Sequence, residues 1–289
     1  MRVKIVTDNC CDLPAELIDR YGIKMVHMLV SFGDRTFQPG ELSTNSFYEM
    51  MAASHVLPTT SQPTMEEMRS VYEECLADGS EVIAIHLSSG MTGTVQAAEM
   101  VRDTLPGRER LTVIDSLKAS AGEGLLVLEA ARMAESGRAR NEIVDEILKL
   151  RAKLRCVFTI NTLEYLVKGG RVSRAKGLVG SMLDIKPILW VNPQGYIEPI
   201  DKVRGRKSAI RRLVRMVEEM GRDLKGQTVG ISHAMCPEDA ARFSDVFVNE
   251  FKAGEVIMGE IGPVVGSHVG PGTLAIFFYG EELGNNNHR

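Results

Sequence analysis

Short β-type apolar runs recur along this chain, and between them the apolar positions shift to helical spacing, an alternation that constrains the fold to α/β architecture. The first string of runs is Val3–Val6, Met25–Val30, Val82–Leu87 and Leu111–Ile114. The second is Cys156–Ile160, Ile185–Val191, Tyr196–Ile200, Thr228–Ser232, Val256–Ile261 and Thr273–Tyr279. Met65, Met68, Val71, Tyr72, Cys75 and Leu76 repeat as one face of a helix, and Thr64 with Glu67 reads as a capping box at its start. Further helices are expected near 124–136, 142–154, 208–224 and 237–251, the last opened by Pro237. Asn192-Pro193-Gln194-Gly195 is a turn signal between two runs of the second string, so part of that sheet is expected to be antiparallel.

A length of 289 residues accommodates two domains, matching the two strings. The expected division is a Rossmann-like domain over 1–155 with a parallel sheet, a mixed-sheet domain over 156–282, and a flexible tail at 283–289. With a net charge of −4, the chain has no general pull towards nucleic acid. Its apolar runs are too short to span a membrane, and Met1 leads straight into Val3–Val6, so no signal-peptide core is expected. The five cysteines (Cys10, Cys11, Cys75, Cys156, Cys236) are scattered and lack metal-ligand spacing, which fits small apolar residues in a reduced, cytoplasmic compartment.

Three segments crowd small hydroxyl side chains among Gly and Pro: Pro58-Thr59-Thr60-Ser61-Gln62-Pro63, Ser88-Ser89-Gly90-Met91-Thr92-Gly93-Thr94, and Gly266-Ser267-His268-Val269-Gly270-Pro271-Gly272. Such loops allow close backbone approach to a carboxylic or anionic group. Ser89-Gly90 follows a strand, where free N–H groups and the next helix N-terminus would face an anion. No Walker phosphate loop occurs in the chain, so direct ATP binding is unsupported. His268, flanked by glycines and apolar runs, is read either as a structural side chain or as a donor to a carboxylate or phosphate. Asp8 and Asp115, at strand ends, are general acid–base candidates, although an Asp at a strand end more often caps the next helix or tightens the turn. Arg171, Gly-flanked, and Arg204, in a basic run, are either solvated or forks for phosphate.

These segments, taken with Thr7-Asp8-x-x-x-Asp12-Leu13-Pro14, Leu163-Glu164-Tyr165-Leu166-x-x-Gly169-Gly170-Arg171-Val172-Ser173 and Lys202-Val203-Arg204, resemble the DegV family, the acyl-binding subunits of bacterial fatty acid kinase. The resemblance covers nearly the whole chain and implies a two-domain DegV-like α/β fold enclosing one long-chain fatty acid. It implies that Thr60 and Ser89 hold the carboxyl head and that His268 lies at the same end; Ser61, Gly90, Arg171 and Arg204 are the further candidates for that site. It further implies no cofactor, a separate ATP-dependent kinase catalytic subunit as partner, and a role compatible with transient contact at a membrane surface. A stand-alone lipid-sensing regulator and a Ser89–His268 enzyme are the rival readings. The chain departs from the family at Asn9-Cys10-Cys11, where small residues such as Ser are more usual.

Overall fold

The computed structural model describes residues 2–172 and 184–282. Ser173 and the tail expected at 283–289 lie outside the described residues. In chain order the elements are β1 (Val3–Asp8), α1 (Ala15–Tyr21), β2 (Lys24–Val26), β3 (Leu29–Phe32), β4 (Arg35–Phe37), α2 (Thr44–Ala53), β5 (Thr59–Ser61) and α3 (Met65–Leu76). Next come β6 (Glu81–His86), α4 (Thr94–Asp103), β7 (Leu111–Asp115), α5 (Ala121–Glu135), α6 (Arg140–Lys153), β8 (Leu154–Thr159) and α7 (Glu164–Lys168). The chain continues through β9 (Ile185–Val191), β10 (Ile197–Arg204), α8 (Arg206–Met220), β11 (Thr228–His233), α9 (Pro237–Asn249), β12 (Glu255–Glu260), α10 (Pro263–Val269) and β13 (Leu274–Tyr279).

Three sheets result among the described residues. The first runs β2-β1-β6-β7 and is parallel throughout. The largest runs β10-β9-β8-β13-β11-β12 and is mixed, with only β11 and β12 parallel. A small antiparallel sheet, β4-β3-β5, lies outside both. The apolar stretch 25–30, expected as one strand, is two strands in different sheets. Side chains take over its backbone bonds at the break: Glu67 Oε1 accepts from His27 N at 3.0 Å, and Asn9 Oδ1 accepts from Met28 N at 2.9 Å. This also halves the expected capping box. Thr64 Oγ1 accepts from Glu67 N, but the Glu67 carboxylate serves His27.

α5 joins the parts. Leu125, Leu126, Val127 and Leu128 are all buried, as in a helix covered all round. Leu125 and Leu128 share one apolar cluster with Ile5 and Ile83 of the first sheet and Phe158 and Phe277 of the largest. A Cβ on Gly124 would stand 2.5 Å from the Cys11 carbonyl oxygen, so a side chain there is excluded by close approach. Asp12, with φ 46°, reaches across the same seam, accepting from Gly262 N at 2.9 Å and from the Ser120 hydroxyl. α3 and α4 cover the far face of the first sheet, and α8 and α9 that of the largest. No helix among the described residues is long and apolar enough to cross a membrane.

Candidate functional site

The first sheet reverses its strand order between β1 and β6, the place where open parallel sheets leave a crevice at their carboxyl ends. Cys10, just past β1, and Leu87, just past β6, line a cavity there, closed on the other side by Cys156 and Phe158 of β8, Val191 of β9 and Ile197 of β10. Its empty volume is about 780 Å³, counting the mouth. The wall is apolar by chemistry as well as by residue type. Burial pushes the Cys10 thiol well up and that of Cys156 up to about 12, so both stay protonated near neutrality.

One end is polar, and three separate segments build it. β5 pairs with β3 in the register Val30↔Thr60, which fixes Thr60 on an edge strand rather than on the loop its Pro-flanked sequence suggests. α10 is seated by Tyr48, whose hydroxyl donates to Ile261 O at 2.9 Å, and by the Gly262–Asp12 bond, so His268 stands on a short helix. Thr60 Oγ1 and His268 Nε2 then meet at 2.8 Å, although 208 residues separate them. Gly169 lies on the other flank of the ring, where a Cβ would come within 2.5 Å of His268 Nδ1. Arg171 lines the same cavity, donating to Met91 O at 3.3 Å and Gly169 O at 2.5 Å.

Burial first, and repulsion from the Arg171 charge second, push His268 down to about 4, so the imidazole is neutral at physiological pH. Its Nδ1 is buried and has no hydrogen-bond partner among the described residues. The pair thus offers a hydroxyl and an imidazole to a polar head, with a guanidinium alongside and an apolar cavity behind. Ser61 and Gln62 line the cavity and are solvent-exposed, which places the mouth beside β5.

Ser89, Gly90 and Arg204 are placed differently. Ser89 and Arg204 are exposed, and none of the three lines the cavity. The N–H groups expected to face an anion are already engaged: Ser89 N donates to Asp115 Oδ1 at 3.1 Å and Gly90 N to Ser88 Oγ at 3.2 Å. His268 bonds Thr60 and not Ser89, so a Ser89–His268 dyad is not formed. Asp115 also accepts from Leu117 N, and the buried Asp8 accepts from Cys10 N and Leu87 N. Each carboxylate therefore tightens the turn after its own strand and ties it to the end of β6, Asp8 through Leu87 N with His86 Nδ1 at 3.2 Å, and Asp115 through Ser89 N. Among the described residues no group of three or more His, Cys, Asp or Glu side chains is arranged to hold a metal. Gln62, Met91 and Thr92 line the cavity and were within the hydroxyl-rich segments, whereas Phe158, Val191 and Ile197 carried no local mark distinguishing wall from core.

A family model described as an uncharacterised protein of the DegV family matches residues 2–281. The chain belongs to the DegV family. A DegV domain-containing protein of Caldanaerobacter subterraneus is 34% identical over 278 residues, covering 96% of this chain and 98% of its own length. Among solved structures, a DegV family protein from Thermus thermophilus, described by its fatty acid binding, is 31% identical with a TM-score of 0.90, covering 97% of this chain and 100% of that one. DegV of Bacillus subtilis, described as a fatty acid binding protein, is 31% identical with a TM-score of 0.87 and covers 97% of this chain and 100% of that one. The two-domain α/β DegV fold, with its parallel and mixed sheets, is therefore the fold of this chain.

Proposed function

We propose that this DegV protein binds one long-chain fatty acid in the cavity between its sheets and presents the carboxylate to a separate ATP-dependent kinase subunit. The observation that carries the reading is the Thr60–His268 pair, beside Arg171, at the polar end of an otherwise apolar cavity. DegV relatives described as binding fatty acids support it. Thr60 and His268 orient the head, and Arg171 offsets its charge. Ser89, exposed on the turn that leads into the lining residues Met91 and Thr92, approaches the head from the mouth, with Gly90 giving that turn its closeness to Gly195. Arg204 is exposed and meets the phosphate or the kinase rather than the acid.

Magnitudes divide the work. About 15 buried methylenes at ~0.8 kcal/mol each give on the order of 12 kcal/mol of gross transfer energy. Each hydrogen bond to a charged carboxylate adds roughly 1.5–3 kcal/mol. Association costs remove part of the sum. The tail therefore sets affinity and the polar end sets register. The product of the coupled reaction is an acyl-phosphate for phospholipid synthesis, and the compartment is the cytoplasm. The domain division near residue 155, where β8 opens the largest sheet, puts the acid between the two halves.

The test is acyl-phosphate formation in a mixture of this protein, oleate, ATP and a fatty acid kinase catalytic subunit. Formation that requires both proteins supports presentation. Equal formation without this chain contradicts it, and recovery of no kinase subunit with the tagged protein from its native lysate favours the stand-alone regulator.

A further inference from the structure

A second cavity backs onto the first. It is lined by Lys118, Arg151, Arg155 and Trp190, with Pro193 and Glu282 also in its wall, and has an empty volume of about 700 Å³ counting its mouth. Lys118 and Arg155 are nearly sealed from solvent, at 3% and 4% exposure. Neighbouring residues divide between the cavities: Ala119 and Cys156 line the first, Lys118, Arg155 and Trp190 line the second, and Val191 borders both. Strand alternation on β8 and β9 produces this arrangement.

Three cations converge here with almost nothing to neutralise them. Among the described residues none of the three forms an ion pair with a carboxylate, Glu282 included. Lys118 Nζ donates among the described residues only to the Leu117 carbonyl, at 3.2 Å, and Arg151 only to the Asp115 carbonyl, at 2.7 Å. Arg155 donates to the carbonyls of Ala152 and Glu281. Three ammonium and ten guanidinium N–H donors thus have few acceptors between them. The Asp115 carboxylate favours the charged forms of Lys118 and Arg151, but its Oδ1 is engaged by Ser89 N and Leu117 N. Trp190 supplies an independent sign: its Nε1 is buried and has no hydrogen-bond partner among the described residues.

The loop that carries Lys118 is also held in costly backbone. Leu117 and Ser120 sit at φ 51° and 56°, and the segment is pinned by Ser88 N to Lys118 O at 2.9 Å and Lys118 N to Ser116 Oγ at 3.1 Å. Burial pushes Lys118 down to about 8, as expected for a charge held without its counterion.

We propose that this cavity is a binding site for a small soluble phosphate-bearing anion, gripped by Lys118, Arg151 and Arg155 and by the Trp190 indole N–H. Phosphate is the anion whose several acceptor oxygens can satisfy a lysine, two guanidinium forks and an indole together. The depth of Lys118 and Arg155 excludes a headgroup held in a membrane surface.

Trp190 is the chain's single tryptophan and reports on this cavity directly. The whole protein is titrated with inorganic phosphate at constant ionic strength in chloride, following tryptophan fluorescence, with equilibrium dialysis of phosphate as a second measure. The expected result is one phosphate per chain with a saturating fluorescence change. Arg151→Gln and Lys118→Met are expected to raise the dissociation constant at least tenfold while oleate loading persists. Arg151, half-buried, keeps the test alive if the buried lysine variant does not fold. Absence of bound phosphate at millimolar concentration, acetate binding as well as phosphate, or wild-type affinity in Arg151→Gln would each overturn the site. Displacement of the phosphate by vesicles containing phosphatidic acid would overturn its assignment to a soluble ligand.

Discussion

Thr60 and His268 hold each other at 2.8 Å, which fixes both side chains at the polar end of the cavity. Removing the Thr60 hydroxyl costs one hydrogen bond to the charged head, roughly 1.5–3 kcal/mol, and Thr60→Ala is expected to weaken acid binding by about one to two orders of magnitude. A fluorescent acyl-probe titration reads this, and unchanged affinity would remove Thr60 from the site. His268→Ala should lower kinase-coupled turnover more than affinity, because charge grows at the head as the acyl-phosphate forms. Equal losses in both would contradict that role. Gly169→Ala drives a methyl against Nδ1 and should copy the His268→Ala phenotype, whereas wild-type turnover would show that the ring has room to move. The neutral state of His268 is testable by NMR. Its imidazole should remain unprotonated down to about 4 in the ligand-free protein, and a titration near 6.5 would mean that burial does not govern it. Thr60 and His268 were legible as chemistry from their hydroxyl-rich and Gly-flanked contexts. Their direct contact was not, since nothing local ties residues 208 apart.

At the scale of elements, legibility followed the range of the forces involved. α3 and α9 announced themselves through a cap, a first-turn proline and helical spacing, all local signals. The break between β2 and β3 was invisible because Glu67 and Asn9, distant in sequence, supply the bonds that split one apolar run. β5 and α10 were missed as elements for a related reason: each is short and is held by tertiary partners, β3 for one, Tyr48 and Asp12 for the other. Asp12 has a measurable consequence at this seam. Burial, the largest cause, raises its carboxyl from 3.8 to about 7 against the opposing bonds from Ser120 and Gly262. The folded state therefore holds a proton between those values that the unfolded chain has released. Its stabilising contribution is complete below the unfolded value and is lost as the pH rises through about 7. Asp12→Asn, which tolerates the positive φ, should flatten this dependence. Urea unfolding at about pH 5 and about pH 8 measures it, and an undiminished difference in the variant would assign the effect elsewhere.

For the whole molecule, α5 and one continuous apolar cluster tie the parallel and mixed sheets together, and the cavity opens where β1 and β6 end against β8 to β10. The two strings of apolar runs were enough to read both sheets from the chain. The cavity's wall was not readable, because Phe158 and Val191 have the same local pattern as residues of the solid core. The central claim is that this space holds one fatty acid. Native mass spectrometry of the purified protein tests it most directly. The expected spectrum shows one adduct of fatty-acid mass per chain that disappears on denaturation and is restored, one to one, by added oleate. Protein that stays ligand-free in the presence of oleate would contradict the account.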